Sequence, residues 1–184
     1  MQRARTFPDG AGGNGGDRIR VVVIHPLGIV REALGLLIKT QSDFDVVTAP
    51  SASAAVGTIA RMRRRSNLVA VIALELTGEH DADWAITTVR EQFPWIRIVG
   101  FGASAERMSI SRALFVGADG FIDHRADPVQ FLNGIRQAVA GEMVLVGVPV
   151  DWLGPIAGAL EQQVKGPSPL TDREHEVLTA ASEG

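Results

Sequence analysis

The stretch 72–84, IALELTGEHDADW, runs from an apolar segment into a loop that carries Glu75, Glu79, His80, Asp81 and Asp83. Carboxylates and imidazoles coordinate cations and move protons, so this loop is the first place to look for chemistry. A hard cation needs several oxygens converging on one point. A cluster of acids in a loop is more commonly a solvated rim, and no metal ion or cofactor is expected here. A second string, GFGAS (100–104), sets small residues and backbone NH groups at the start of a helix, a shape suited to an anion or an amphiphilic metabolite. Two further groups have plainer readings. MRRR (62–65) closes a helical stretch, where basic residues complement the helix dipole. The glycine cluster GAGGNGGD (10–17) precedes the first strand, whereas loops that cradle phosphates follow a strand and open a helix.

The elements that must position these residues are legible from their periodicity. Short, nearly unbroken apolar runs recur at IRVVVI (19–24), FDVVTA (44–49), LVAVIAL (68–74), IRIVGF (96–101) and GFI (120–122). Continuous rather than alternating apolarity marks strands buried on both faces. Between and after them lie amphipathic stretches at 29–39, 52–64, 82–93, 105–116 and 129–140. The last begins with Asp127 as N-cap and Pro128 at the first helical position. Five strands alternating with five helices predict an α/β fold with a doubly wound, five-stranded parallel sheet. In such a sheet, ligands sit at the carboxyl ends of the strands.

The totals narrow the classes. With 184 residues, 46% of them hydrophobic and 21% charged, the chain can build one ordinary domain with segments left over at the ends. A net charge of -3 gives no basic field that would announce nucleic acid or lipid. The absence of cysteine excludes disulfides, thiolate metal sites and a cysteine nucleophile. No apolar run approaches the roughly 20 residues that span a bilayer, and the start MQRARTFPDG lacks the apolar segment of a secretory signal. No membrane association and a cytoplasmic location are expected. Residues 1–18 read as a disordered tail, 19–145 as the α/β domain, and 146–169 as a linker holding a short amphipathic helix, WLGPIAGALEQQV, before KGPSP. Residues 170–184 open a second helical module, with Thr171 and Glu174 spaced as a capping box and Leu170, Val177 and Leu178 supplying apolar contacts.

The order of elements and four strings together resemble a response regulator of the NarL/FixJ type, from two-component systems. The strings are IRVVVIHPLGIVREAL (19–34), LFVGADGFI (114–122), ADPVQFLNGIRQAVAGE (126–142) and LTDREHEVLTAASEG (170–184). The resemblance implies a flavodoxin-like receiver domain joined to a LuxR-type helix-turn-helix domain of all-α structure, and it covers nearly everything after residue 18. It also implies a phosphorylation site with five parts. In such receivers an acid pair after the first strand holds Mg²⁺, and an aspartate ending the third strand is the nucleophile. A hydroxyl after the fourth strand and a lysine after the fifth meet the phosphoryl oxygens.

Carried over position by position, the acid pair falls on His25 and Pro26, the nucleophile on Ala73, the hydroxyl on Gly102 and the lysine on His124. Every part is replaced. Phe121 stands where receivers carry a switching aromatic and reads here as plain core. The resemblance therefore implies an atypical receiver that is not an enzyme and acts without phosphorylation, by homodimerisation, in transcription regulation. Arg112, Phe115 and Arg136 are candidate dimer contacts, and the segment 152–164 offers either a contact between protomers or a cover for the receiver's own sheet edge. Thr171, Arg173, Glu174, Val177 and Leu178 match the scaffold helix of the DNA-binding domain, so DNA contact is expected through the remainder of that domain rather than through this chain alone. A boundary inside a capped module reads as a cut from a longer regulator. The alternative reading is a sensor: His25, Pro26, Ala73, Gly102 and His124 would converge on a cleft nearly free of carboxylates that could take a small metabolite, or a protein effector could act in its place.

Overall fold

A computed structural model describes residues 18–62, 67–78, 80–103, 107–154, 156 and 158. Six strands form one parallel sheet: β1 (Ile19–Ile24), β2 (Phe44–Ala49), β3 (Leu68–Ala73), β4 (Arg97–Gly102), β5 (Gly120–Asp123) and β6 (Val144–Val146), in the order β2-β1-β3-β4-β5-β6. The helices are α1 (Gly28–Lys39), α2 (Ala52–Ala60), α3 (Ala82–Gln92), α4 (Arg107–Phe115) and α5 (Pro128–Ala140). Residues 1–17 of the expected tail (1–18), Arg63, Arg64 and Arg65 of the basic run, Glu79, Ser104, and the expected scaffold helix with Thr171, Arg173, Glu174, Val177 and Leu178 lie outside the described residues.

The period-two facing of the strands divides the core into two layers. Val22, Ile24, Ala70, Ile72 and Ile98 face α2 and α3, where Ala55, Ile59, Ala85, Ile86 and Val89 meet them. Val21, Val23, Val69, Val71 and Val99 face α1 and α5, packing on Leu34, Ile38, Phe131, Leu132 and Ile135. All six residues of β3 are buried, as its uninterrupted apolar run requires of the strand next to the sheet's centre. Each such aliphatic side chain contributes about 1.5–3 kcal/mol relative to leaving it exposed. At the opposite edge from the carboxyl ends, Asp119 accepts from Arg90 at 2.6 Å and from the Ile98 backbone NH at 2.7 Å, tying α3, β4 and the start of β5 together.

The expected count of five strands is corrected to six. After α5, Val144, Leu145 and Val146 pair in parallel with Gly120, Phe121 and Ile122. Three residues are too few to show a period, so the run carries no strand signal of its own. Its place is prepared by Gly120, where an added β-carbon would meet the Val144 carbonyl oxygen at 2.4 Å. β6 also carries the sheet to Val146, one residue beyond the expected domain limit. The chain then turns helical at 150–154, and Ile156 is buried with Ile110, Leu114 and Phe121, with Trp152 packed alongside. The start of the amphipathic segment thus covers the domain's own α4–β5 side. Phe121 is wholly buried beneath it. Elsewhere the sequence-based bounds shift by a residue or two, because helix ends are set by caps. Asp81 and Asp127 each accept backbone NH groups of the first turn, and Asp127 forms a capping box with Gln130.

Candidate functional site at the carboxyl edge

Successive connections from β1 run to β2 on one side and on to β3 on the other, so the strand order reverses between β1 and β3. A crevice opens outside the carboxyl ends at such a point. The residues that end these strands are His25, Ala73 with Glu75 beyond it, Gly102 and, after β5, His124. The expected positions therefore do come to one edge, held in register by backbone bonds such as Leu74 NH to the Phe101 carbonyl (2.8 Å) and His124 NH to the Gly102 carbonyl (2.9 Å).

His25 is buried, its ring edge-on to Phe101 with centroids 6.2 Å apart. Its Nδ1 accepts the Leu27 backbone NH at 3.1 Å, and its carbonyl accepts Arg31 Nη1 at 2.8 Å, so one residue fixes both the turn and the entry to α1. Burial pushes its pKa below the usual histidine value; the Glu75 carboxylate opposes that shift and Arg31 adds to it. Because Nδ1 accepts the Leu27 NH, the ring proton in this arrangement sits on Nε2. Pro26 follows on the exposed turn.

Ala73 is buried at the end of β3 and offers only a methyl group. Two residues on, the exposed Glu75 reaches across to β4, where Oε1 accepts the Ala103 backbone NH at 3.3 Å. Gly102 makes this crossing possible: a β-carbon there would stand 3.1 Å from Glu75 Oε1. The position aligned with the family's hydroxyl is thus bare backbone with a carboxylate laid over it.

Asp81, Asp83 and His80 of the opening loop are engaged separately. Asp81 caps α3 through the Trp84 NH at 2.9 Å, Asp83 pairs with Arg112, and the His80 ring packs against Trp84 at 4.1 Å. Among the described residues, no group of three or more His, Cys, Asp or Glu side chains is placed to hold a metal ion.

Sequence reasoning overlooked Asp123. It is buried at the end of β5, where Oδ1 accepts the Arg125 NH and Nε at 2.7 and 3.1 Å and Oδ2 accepts Nη2 at 3.0 Å. Its hydrogen bonds raise the Arg125 pKa. One acid ending an apolar run has no pattern that would announce it; the arginine two residues later was the available signal.

Beside this edge lies a cavity of about 560 Å³. His25, Glu75, Phe101 and His124 line one side, and Leu27 with the α1 residues Ile29, Val30, Ala33, Leu34 and Leu37 line the other. Of the expected cleft residues, His25 and His124 face it; Pro26, Ala73 and Gly102 do not. Periodicity could not have shown this shift toward α1, since Leu34 reads as core in any case.

The candidate dimer contacts fall in two places. Met108, Arg112 and Phe115 share one exposed stripe of α4 at the spacing of a helical face. Arg136, on α5, binds Asp43 at 2.9 and 3.2 Å and Gln41 at 3.2 Å, and its guanidinium lies over the Phe44 ring at 4.9 Å.

No protein-family model matches the chain. The response regulator protein VraR of Staphylococcus aureus is 22% identical over 167 residues, covering 90% of this chain and 77% of VraR. Among solved structures, a LuxR-family two-component response regulator from Aurantimonas sp. superposes with a TM-score of 0.65 at 23% identity, covering 78% of this chain and 99% of that one. The isolated REC domain of RcsB from Salmonella enterica serovar Typhimurium gives 0.62 at 14%, covering 76% and 98%. A structure of RcsB dimers bound to DNA also gives 0.62, at 16%, covering 91% and 78%. The strand order and these superpositions show that the chain has the α/β receiver fold, and along most of its length its sequence is similar to that of a response regulator.

Proposed function

We propose that this receiver works without phosphorylation, as the dimerising part of a transcription regulator. The observation that carries the reading is the pair at the heart of the edge: a methyl group at the end of β3, and the Glu75 carboxylate laid over Gly102. A methyl group cannot accept a phosphoryl group, and a carboxylate already fixed beside the vacated position repels a second anion. The supports for magnesium are also replaced, since a neutral imidazole at His25 and the ring of Pro26 offer no hard oxygen ligand from a side chain.

The output surface is the exposed stripe of α4. Met108 and Phe115 are 81% and 62% exposed on one face, and large apolar groups gathered in this way are the usual mark of a partner surface. Arg112 between them is oriented by Asp83. RcsB, a structural relative, forms dimers on DNA; for this protein DNA binding would pass through the module that residues 170–184 begin. Sedimentation equilibrium tests the proposal. The protein should be dimeric at micromolar concentration, with the same dissociation constant in the presence and absence of acetyl phosphate and Mg²⁺. A monomer, or a dimer that tightens tenfold with the phosphodonor, would refute it.

A further inference from the structure

The cavity beside α1 is not used by the dimerising surface; it shares His25 and His124 with the aligned phosphorylation positions and extends from them along α1. Its volume of about 560 Å³ falls within the range of small-molecule sites. Its walls divide by chemistry. Leu27, Ile29, Val30, Leu34 and Leu37 form an apolar channel, and Leu27 and Ile29 are 59% and 83% exposed along its rim. At the strand end of the channel stand His25, Glu75 and His124. Because Leu27 engages Nδ1 of His25, the nitrogen available to a ligand is Nε2, and in the neutral ring that nitrogen donates. Glu75 supplies an acceptor bearing a negative charge.

From this arrangement we infer that the cavity binds an uncharged, single-chain amphiphile whose head both donates and accepts hydrogen bonds, a hydroxyl or a carboxamide. The head donates to Glu75 and accepts from His25 Nε2, while the chain lies along α1. A carboxylate head meets Glu75 with like charge and brings no donor, so it is rejected by the loss of one hydrogen bond and by repulsion together. Discrimination thus comes from the polar end, and affinity from the apolar length. Leu27 and Ile29, costly as bare surface, become walls when the ligand is present. The device also explains why β1 is followed by a histidine that caps its own turn: the same ring fixes the loop and presents the donor.

Two probes of equal chain length test the inference on the full chain: 1-octanol and octanoate, titrated in the millimolar range by two-dimensional ¹H–¹⁵N NMR. Octanol is expected to saturate a single site, with shifts at Leu27, Leu34, Phe101 and the His25 ring, and octanoate to bind at least tenfold more weakly. Ala33→Trp adds bulk at an exposed lining position and should abolish octanol binding without unfolding the domain. His25→Asn keeps an acceptor for the Leu27 NH but removes Nε2, and should weaken octanol several-fold. Glu75→Gln should bring octanoate to within a few-fold of octanol. No saturable octanol binding to the wild-type protein, equal affinity for the two probes, or unchanged binding in Ala33→Trp would overturn the inference. Those results concern the occupancy of the cavity by an amphiphile; the phosphorylation-independent reading is tested separately, by phosphoryl transfer from acetyl phosphate.

Discussion

The carboxylate of Glu75 lies over Gly102, close enough that a β-carbon at 102 would stand 3.1 Å from Oε1, and it accepts the neighbouring Ala103 NH. The two residues are interdependent. A side chain at 102 would press on the carboxylate, which would have to give by a few tenths of an ångström. Together the two residues set a carboxylate at the end of β4.

His25 connects this edge to pH. Its folded-state pKa is below the ordinary value of 6.5, chiefly through burial, so the unfolded chain takes up the proton first. Stability is therefore full above about pH 6.5 and declines as pH falls from there through the folded pKa. Chemical denaturation between pH 8 and pH 5 should show that decline, and His25→Asn should flatten it. Glu75→Gln should lower the His25 pKa further, read by NMR titration of the ring, because Glu75 is the group that holds it up. An unchanged or raised value would contradict the assigned coupling.

Restoring the missing nucleophile alone should not restore the switch. Ala73→Asp places a carboxyl group at a buried position near Glu75 and is expected to cost about 1–3 kcal/mol of stability. The variant should still gain no phosphate from acetyl phosphate and Mg²⁺, since the acid pair, hydroxyl and lysine remain absent. Rapid phosphorylation of this variant would show that the rest of the site is competent.

Arg136 resembles a dimer contact in sequence, but its partners within the chain are Asp43, Gln41 and Phe44. Arg136→Ala should lower stability by about 1 kcal/mol, since the ion pair is partly exposed and the ring contact adds little more. It should also raise the Asp43 pKa toward its usual value, because the Arg136 hydrogen bond is the main cause of its depression. Dimer dissociation should be unaffected; a loss of dimer in urea-free buffer would return Arg136 to the interface.

Phe115 is the sharper test of the dimer surface. Phe115→Asp places a charge at the carboxyl-terminal end of the α4 stripe, and a hot-spot aromatic replaced in this way costs about 2–4 kcal/mol of association. Sedimentation should show a dissociation constant raised at least thirtyfold, with the circular dichroism of the monomer unchanged. A dimer of unaltered affinity would move the interface elsewhere.

Much of the fold was legible because buried strands announce themselves. IRVVVI and FDVVTA match β1 and β2 residue for residue, and Asp127–Pro128 marks the start of α5 as its capping chemistry requires. β6 was not legible, since three residues carry no period and its admission depends on the missing β-carbon of Gly120, a fact of space rather than pattern. The site divides in the same way. Alignment with the strings that resemble NarL/FixJ-type receivers picks out His25, Ala73, Gly102 and His124, and strand order alone implies that residues at strand ends share the carboxyl edge. What they do there depends on side-chain direction. The acids of the loop, alike in sequence, separate into a helix cap at Asp81, an ion pair at Asp83 and a crossing carboxylate at Glu75. Among the described acids of the loop, only Glu75 belongs to the edge.

The most direct measurement is the intact mass of the wild-type protein after incubation with acetyl phosphate and Mg²⁺, under conditions that phosphorylate a receiver bearing the full acid set. The mass should be unchanged, with Ala73 unable to accept and the Glu75 carboxylate standing in the vacated place. A stoichiometric gain of one phosphoryl group would contradict the account at its centre.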